Sequence, residues 1–223
     1  MAKIKHHNFL NTVHEVFTDA KEEGVLHLYA EGDSFSGRKI KVRDRELFHF
    51  GTTGYLGLEQ DERLKQAAMS AIQRYGTQFP LSKSYISNPL YEELEHSIRE
   101  MYGRPIVITK NSTLGHLGVI PSVVEDDDVI ILDHQVHWSV QNAAKMLKTR
   151  SVPIEMVRHN HLEMLEEKLK KYRDSKRHIW YMADGIYSMY GDFAPVNELI
   201  GLGRQYPQLR FYFDDVHGMS WIG

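Results

Sequence analysis

Asp214 and His217 stand three residues apart at the end of an apolar, aromatic run that contains Leu209, Phe211, Tyr212 and Phe213. Such a run is expected to form a buried strand. It would deliver a carboxylate and an imidazole to its C-terminal end, where open α/β sheets build ligand sites. A carboxylate buried there is costly unless it meets a positive partner. A protonated pyridine nitrogen or a metal ion would serve. A metal needs further ligands. The candidates, His159 and His161, precede a charged helical stretch as solvated residues would.

Three earlier segments could bring other groups to the same end of a sheet. Ser112 and Thr113, within Lys110-Asn111-Ser112-Thr113-Leu114-Gly115, open a helical pattern. Hydroxyls and free amides at a helix start make a seat for a phosphate, and they serve equally as ordinary N-caps. His137 lies just before another helix. Its ring can lie flat against an aromatic ligand, or it can cap the helix or face solvent. The chain has 13 histidines, so one of them alone carries little weight. The segment Asp184 to Asp192 sets Gly185 and Gly191 around Tyr187 and Ser188. Close backbone approach and a tight turn explain the glycines, and a plain structural turn explains them as well.

The elements that must position these residues follow from periodicity. Apolar runs at 106–108, 129–132, 152–157, 179–182 and 209–213 alternate with helical patterns at 114–124, 138–147, 161–172 and 196–204. That alternation predicts an α/β fold, a parallel-rich sheet with helices on both faces. Upstream, residues 9–21 form an amphipathic helical pattern, and 25–50 read as strand-like pieces around an Arg43-Asp44-Arg45 turn. Asp61 caps a helix to about Tyr75, 77–89 is a long polar loop, and 90–101 is helical, ending at Gly103. The expected division is an N-terminal helix-and-hairpin extension, 1–60, and a large domain, 61–223.

Composition excludes several roles. A net charge of −3 gives no electrostatic case for nucleic acid. The absence of cysteine removes disulfides, thiolate metal sites and a cysteine nucleophile, and fits a reducing cytosol. Charges interrupt every apolar run, so no membrane span is expected. The first residues lack the apolar stretch of a secretory signal. The expected location is cytoplasmic.

Taken in order, the segments resemble the α-oxoamine synthases, the fold-type-I pyridoxal-phosphate (PLP) enzymes of the 8-amino-7-oxononanoate synthase and serine palmitoyltransferase type. The resemblance runs through Gly54-Tyr55-Leu56-Gly57-Leu58 and Pro89-Leu90-Tyr91-Glu92-Glu93-Leu94-Glu95. It continues through His137-Trp138-Ser139, Gly185 to Asp192 with Ala194-Pro195, and Asp214 to Gly218. It implies PLP as cofactor, held at its phosphate by Ser112 and Thr113. His137 would stack on the pyridine ring, Ser188 and His217 would bond the phenolic oxygen, and Asp214 would pair with the pyridinium nitrogen. His137, Asp214 and His217 would be the catalytic set. The implied reaction joins a small amino acid to an acyl-CoA or acyl thioester, in a homodimer.

The departures from the family are specific. The family's Schiff-base lysine lies on the strand after the Asp-x-x-His motif, and this chain ends before it, as it does before the family's C-terminal domain. The chain therefore reads as a fragment of a longer enzyme, with a non-catalytic, lysine-less homologue as the alternative. Gly54 stands where the family has Asn, and 78–85 lacks the usual glycine-rich run. With the bulk of Trp138 and Trp221, this points to a different or longer acyl donor. Another fold-type-I activity, an aminotransferase or a lyase, is the nearest competitor. Stacking by His137 beside the Asp214/His217 pair favours the synthase.

Overall fold

The computed structural model describes residues 6–78, 85–220 and 222. The chain forms two compact units, Met1–Phe79 and Pro80–Gly223. The first holds helix α1 (His6–Glu22), a three-stranded antiparallel sheet of β1 (Glu31–Ser36), β2 (Lys39–Val42) and β3 (Arg45–Phe48), and helix α2 (Glu62–Tyr75). The β2–β3 hairpin turns on Arg43 and Asp44, both at positive φ (50° and 61°). A two-residue hairpin loop demands that geometry, and it disfavours side chains such as these. Glu31 offsets the cost: its carboxylate accepts the Arg43 N–H at 2.7 Å and the Asp44 N–H at 3.4 Å. Asp61 caps α2 as expected, accepting the Arg63 N–H.

The second unit holds helices α3 (Pro89–Tyr102) and α4 (Ser112–Val123), then alternates: β4 (Val129–Asp133), α5 (Trp138–Met146), β5 (Ile154–Val157), α6 (Leu162–Tyr172), β6 (Ile179–Asp184), α7 (Val196–Gln205) and β7 (Leu209–Asp214). The strands form one parallel sheet in the order β5-β4-β6-β7. Successive side chains point to opposite faces, so the sheet divides its residues between two cores. Val129, Ile131, Ile179, Tyr181 and Leu209 pack with Leu165 and Leu169 of α6 and Leu199 of α7. Ile130, Leu132 and Met182 pack with Ile120 of α4 and with Val140, Ala143 and Ala144 of α5. Helices therefore cover both faces, as expected.

One expected strand is absent. Residues 106–108 are apolar but lie outside any strand, and Val107 is exposed. A strand needs a partner for its backbone groups, and among the described residues none pairs with this run.

The strand order places a crevice. From β4 the chain leaves to α5 on one face and returns as β5. From β6 it leaves to α7 on the other face and returns as β7. Loops leaving two adjacent parallel strands in opposite directions open a gap at the strand C-termini, which is where open α/β sheets bind ligands.

The opposite end of the sheet is closed by Asp128, which is fully buried. Its carboxylate accepts from Arg177 Nε and Nη2 (3.0 and 2.9 Å), Trp180 Nε1 (3.0 Å) and the backbone N–H groups of Glu125 and His178. At the β5 edge, Glu155 is clasped by Lys168, Lys171 and Tyr172. Burial acts to raise its pKa, but those partners bring it down to about 2. No helix among the described residues is long and apolar enough to cross a membrane.

Candidate functional site

Three neighbouring strands each end in a buried aspartate: Asp133 on β4, Asp184 on β6 and Asp214 on β7. Asp184 and Asp214 are register partners. Three acids at one end of a sheet repel each other and lose their hydration, so each needs a donor. Each has a different one.

Asp133 accepts His159 Nδ1 at 3.0 Å, the Gln135 and Asn160 N–H groups at 2.8 Å each, and the Tyr181 hydroxyl at 3.2 Å. The other nitrogen of His159, Nε2, reaches Asp192 at 2.6 Å. Burial opposes the charged ring, but the two carboxylates outweigh it and raise the pKa of His159. His159 is thus a bridge between the end of β4 and the loop after β6, not the solvated residue expected from its place before a charged helix. His161 does sit half in solvent, as the N-cap of α6.

Asp184 accepts the His137 backbone N–H at 3.0 Å. Burial, reinforced by the charges of Asp214 and Asp133, pushes its pKa up to about 7 despite that bond. Asp214 takes the opposite course. His116 Nε2 donates to it at 2.9 Å, and the Val216 N–H approaches at 3.3 Å. Burial again acts to raise its pKa, but the hydrogen bonds it accepts, that of His116 foremost, outweigh burial and lower it.

The sequence-predicted residues fall around this row of acids. His137 is the N-cap of α5, its Nδ1 2.6 Å from the Ser139 hydroxyl. His137, Trp138, Asp184, Tyr187 and Ser188 line one cavity of about 360 Å³ in the β4/β6 crevice. Gly191 makes the expected tight turn, while the close neighbour of Gly185 is a side chain and not backbone. A Cβ on Gly185 would lie 2.1 Å from the Asp215 carboxylate, and Gly191 has a positive φ of 73°. Ser112 and Thr113 form the first turn of α4, and the cap before them is Asn111, whose side chain accepts the Leu114 N–H at 2.9 Å. They are therefore not the caps of that helix. Ser112, Thr113, Asp214 and His217 do not line the cavity. Asp214 is next to it as the register partner of Asp184, and Ser112 and Thr113 share helix α4 with His116, which bonds Asp214. His217 lies in the turn after β7, partly buried. Trp221 and most of the loop 78–85 lie outside the described residues.

The N-terminal unit has a cavity of its own, about 540 Å³, lined by Arg38, Phe48, His49, Phe50, Thr52, Gly54 and Tyr55. It carries part of the Gly54-Tyr55 motif but no carboxylate–histidine pair. The Glu59 carboxylate lies where a Cβ on Gly54 would project, 1.9 Å away.

Comparison with known proteins supplies the frame for this geometry. No family model matches the chain. It is similar to 8-amino-7-oxononanoate synthase of Thermoanaerobacter pseudethanolicus, with 31% identity over 216 residues covering 96% of this chain and 54% of that protein. It is similar to the enzyme of the same name from Fervidobacterium nodosum, with 31% identity over 208 residues covering 91% of this chain and 52% of that protein. The chain spans about half the length of these relatives. Among solved structures it matches serine palmitoyltransferase from S. paucimobilis with bound PLP–myriocin aldimine. The TM-score is 0.80 at 19% identity, covering 94% of this chain and 52% of that one. At that identity the match establishes the fold.

Proposed function

Because the chain belongs to the PLP-dependent α-oxoamine synthase family, we propose that it forms the cofactor-binding part of an enzyme that condenses a small amino acid with an acyl-CoA or acyl thioester. Asp214 is the observation that carries this reading: a buried strand-end carboxylate kept ionised by His116, beside a crevice walled by His137 and Ser188. Such a carboxylate stabilises a cationic N–H, and a protonated pyridine nitrogen supplies one.

The residues present fit PLP. When bound, PLP supplies an electron sink for a carbanion at the substrate α-carbon. Asp214 holds negative charge that favours the protonated ring nitrogen. His137 is fixed at its backbone by Asp184 and at its ring by Ser139, which suits it to hold one face of an aromatic ring. Ser112 and Thr113, at the start of the 12-residue helix α4, offer hydroxyls and first-turn amides to the phosphate. Ser188 and His217 would hold the phenolic oxygen. His137, Asp214 and His217 form the proposed catalytic set.

Trp138 adds bulk to the cavity wall, which supports a different or longer acyl donor. A homodimer is the proposed assembly: α4 is apolar around its circumference, yet Leu114, Val119 and Val123 are partly exposed. The proposed location is cytoplasmic.

The test is borohydride reduction of the full-length protein with PLP, followed by intact mass and peptide mapping. One pyridoxyl adduct on a lysine, with PLP-dependent release of CoA from an acyl-CoA series, is the expected result. No adduct and no CoA release would overturn the reading.

A further inference from the structure

Asp214 and Asp184 are register partners on adjacent strands, both buried. Burial acts against ionisation at both, yet their acidities diverge. Asp184 is pushed up to about 7, whereas Asp214 is held below the usual aspartate value. The largest contribution to the difference is one side chain. His116 projects from the first turns of α4 and places Nε2 2.9 Å from Asp214 Oδ2. Its other nitrogen, Nδ1, lies 2.7 Å from the Tyr212 hydroxyl. The His116 and Asp214 side chains are only 7% and 9% exposed, so water does not screen the pair.

The hydrogen positions follow from chemistry. A carboxylate only accepts, so Nε2 carries the proton that faces Asp214. In the neutral ring Nδ1 then accepts, and the Tyr212 hydroxyl donates to it. Burial and the Asp214 charge push the pKa of Tyr212 up to about 12, which keeps that hydroxyl protonated at neutral pH. Tyr212 thereby fixes the tautomer that presents Nε2–H to Asp214. Helical spacing adds a second consequence. Ser112 and His116 are four residues apart on α4 and share one face. One rigid element thus carries both the proposed phosphate seat and the donor to Asp214.

From this geometry, and resting on the PLP reading above, we infer that His116, backed by Tyr212, is a positioning residue that orients and charges Asp214 for the cofactor's ring nitrogen. It touches neither cofactor nor substrate. It acts through Asp214, from the same helix that carries the proposed phosphate seat.

The test measures PLP affinity and the ring-nitrogen NMR shift of bound ¹⁵N-PLP in the full-length protein. His116→Phe removes the donor. It should weaken PLP binding about 10- to 100-fold, the size of a hydrogen bond to a buried charge, and move the ¹⁵N shift toward the unprotonated ring. His116→Gln can place an amide N–H near the lost Nε2–H, and should recover most of both. A space-filling role alone would not show that ¹⁵N pattern. Tyr212→Phe leaves the His116–Asp214 contact and should cost about 3-fold. If His116→Phe fails to fold, Tyr212→Phe and His116→Gln decide: wild-type affinity and shift for Tyr212→Phe, with Gln no better than misfolded Phe, overturns the inference. Asp214→Asn separates the two levels. If it weakens PLP binding while His116→Phe does not, only the inference falls. If Asp214→Asn binds PLP like the wild type, the underlying PLP reading falls with it.

Discussion

The parallel sheet treats its buried aspartates in two opposite ways. At the strand N-termini, Asp128 is saturated: two guanidinium nitrogens, an indole and two backbone amides all donate to it. At the C-termini, Asp133 is saturated as well, but among the described residues Asp184 accepts from one donor and Asp214 from two, one of them at 3.3 Å. An ionised carboxylate accepts about four hydrogen bonds. Asp128 thus has no capacity to spare, whereas Asp184 and Asp214 have some. Saturation makes a brace, and spare capacity makes a place for a ligand. The same residue type, equally buried in one sheet, is divided between stability and function by its neighbours.

Breaking the brace at Asp128 should have the larger effect on stability. Asp128→Ala leaves Arg177, Trp180 and two amides without their acceptor, and the expected loss is about 3 kcal/mol. Urea unfolding with hydrogen exchange on the β4 and β6 amides would measure it. PLP affinity of the protein that remains folded should be unchanged. A loss below about 1 kcal/mol would show that Arg177, partly exposed, rehydrates without penalty. At the other end, Asp214→Asn keeps the shape and removes the charge. Turnover should fall about 100-fold, equivalent to about 2.7 kcal/mol of lost charge-assisted bonding. Unfolding should shift little. If the two substitutions gave the same profile, the contrast between brace and ligand site would not hold.

Much of this arrangement was legible in the sequence, for a local reason. Continuous apolar runs and 3.6-residue patterns are set within one element, so β4, β6, β7 and their helices appear where the pattern puts them. The abrupt change from Phe213 to Asp214 marked a buried acid in need of a partner. That partner was not legible. His116 lies 98 residues from Asp214, inside a helix and not in a strand-end loop. The available signal was that it is the one charged-capable side chain in the apolar stretch 114–120, four residues after Ser112. His159 gave even less, since its acids lie 26 and 33 residues away. Asp128 follows three other acids, Glu125, Asp126 and Asp127, and only the return of β6 selects it for burial. The run at 106–108 failed for the complementary reason: its pattern is local, but a strand exists only with a partner.

Asp184 offers the finest test, because it differs from Asp214 mainly in lacking a histidine donor. Its folded pKa of about 7 lies above the ordinary 3.8, so the folded chain binds the extra proton. Below about pH 4 both states are protonated and Asp184 contributes nothing to pH dependence. Between about 4 and 7 the unfolded chain has released its proton while the folded chain keeps it, so stability falls as pH rises. Above 7 the penalty is complete and constant. Asp214, with its lowered pKa, has the reverse slope: its contribution is present above 3.8 and is lost as the pH falls further. Asp184→Asn retains an acceptor for the His137 N–H and removes the ionisation. Its stability relative to wild type should therefore climb by about 1 kcal/mol between pH 4 and 8 and then level off, a modest figure because the crevice admits some water. Exchange of the His137 amide across that pH range would follow it. Parallel curves for variant and wild type would mean that Asp184 ionises freely, and that His116 is not what separates the two neighbouring acids.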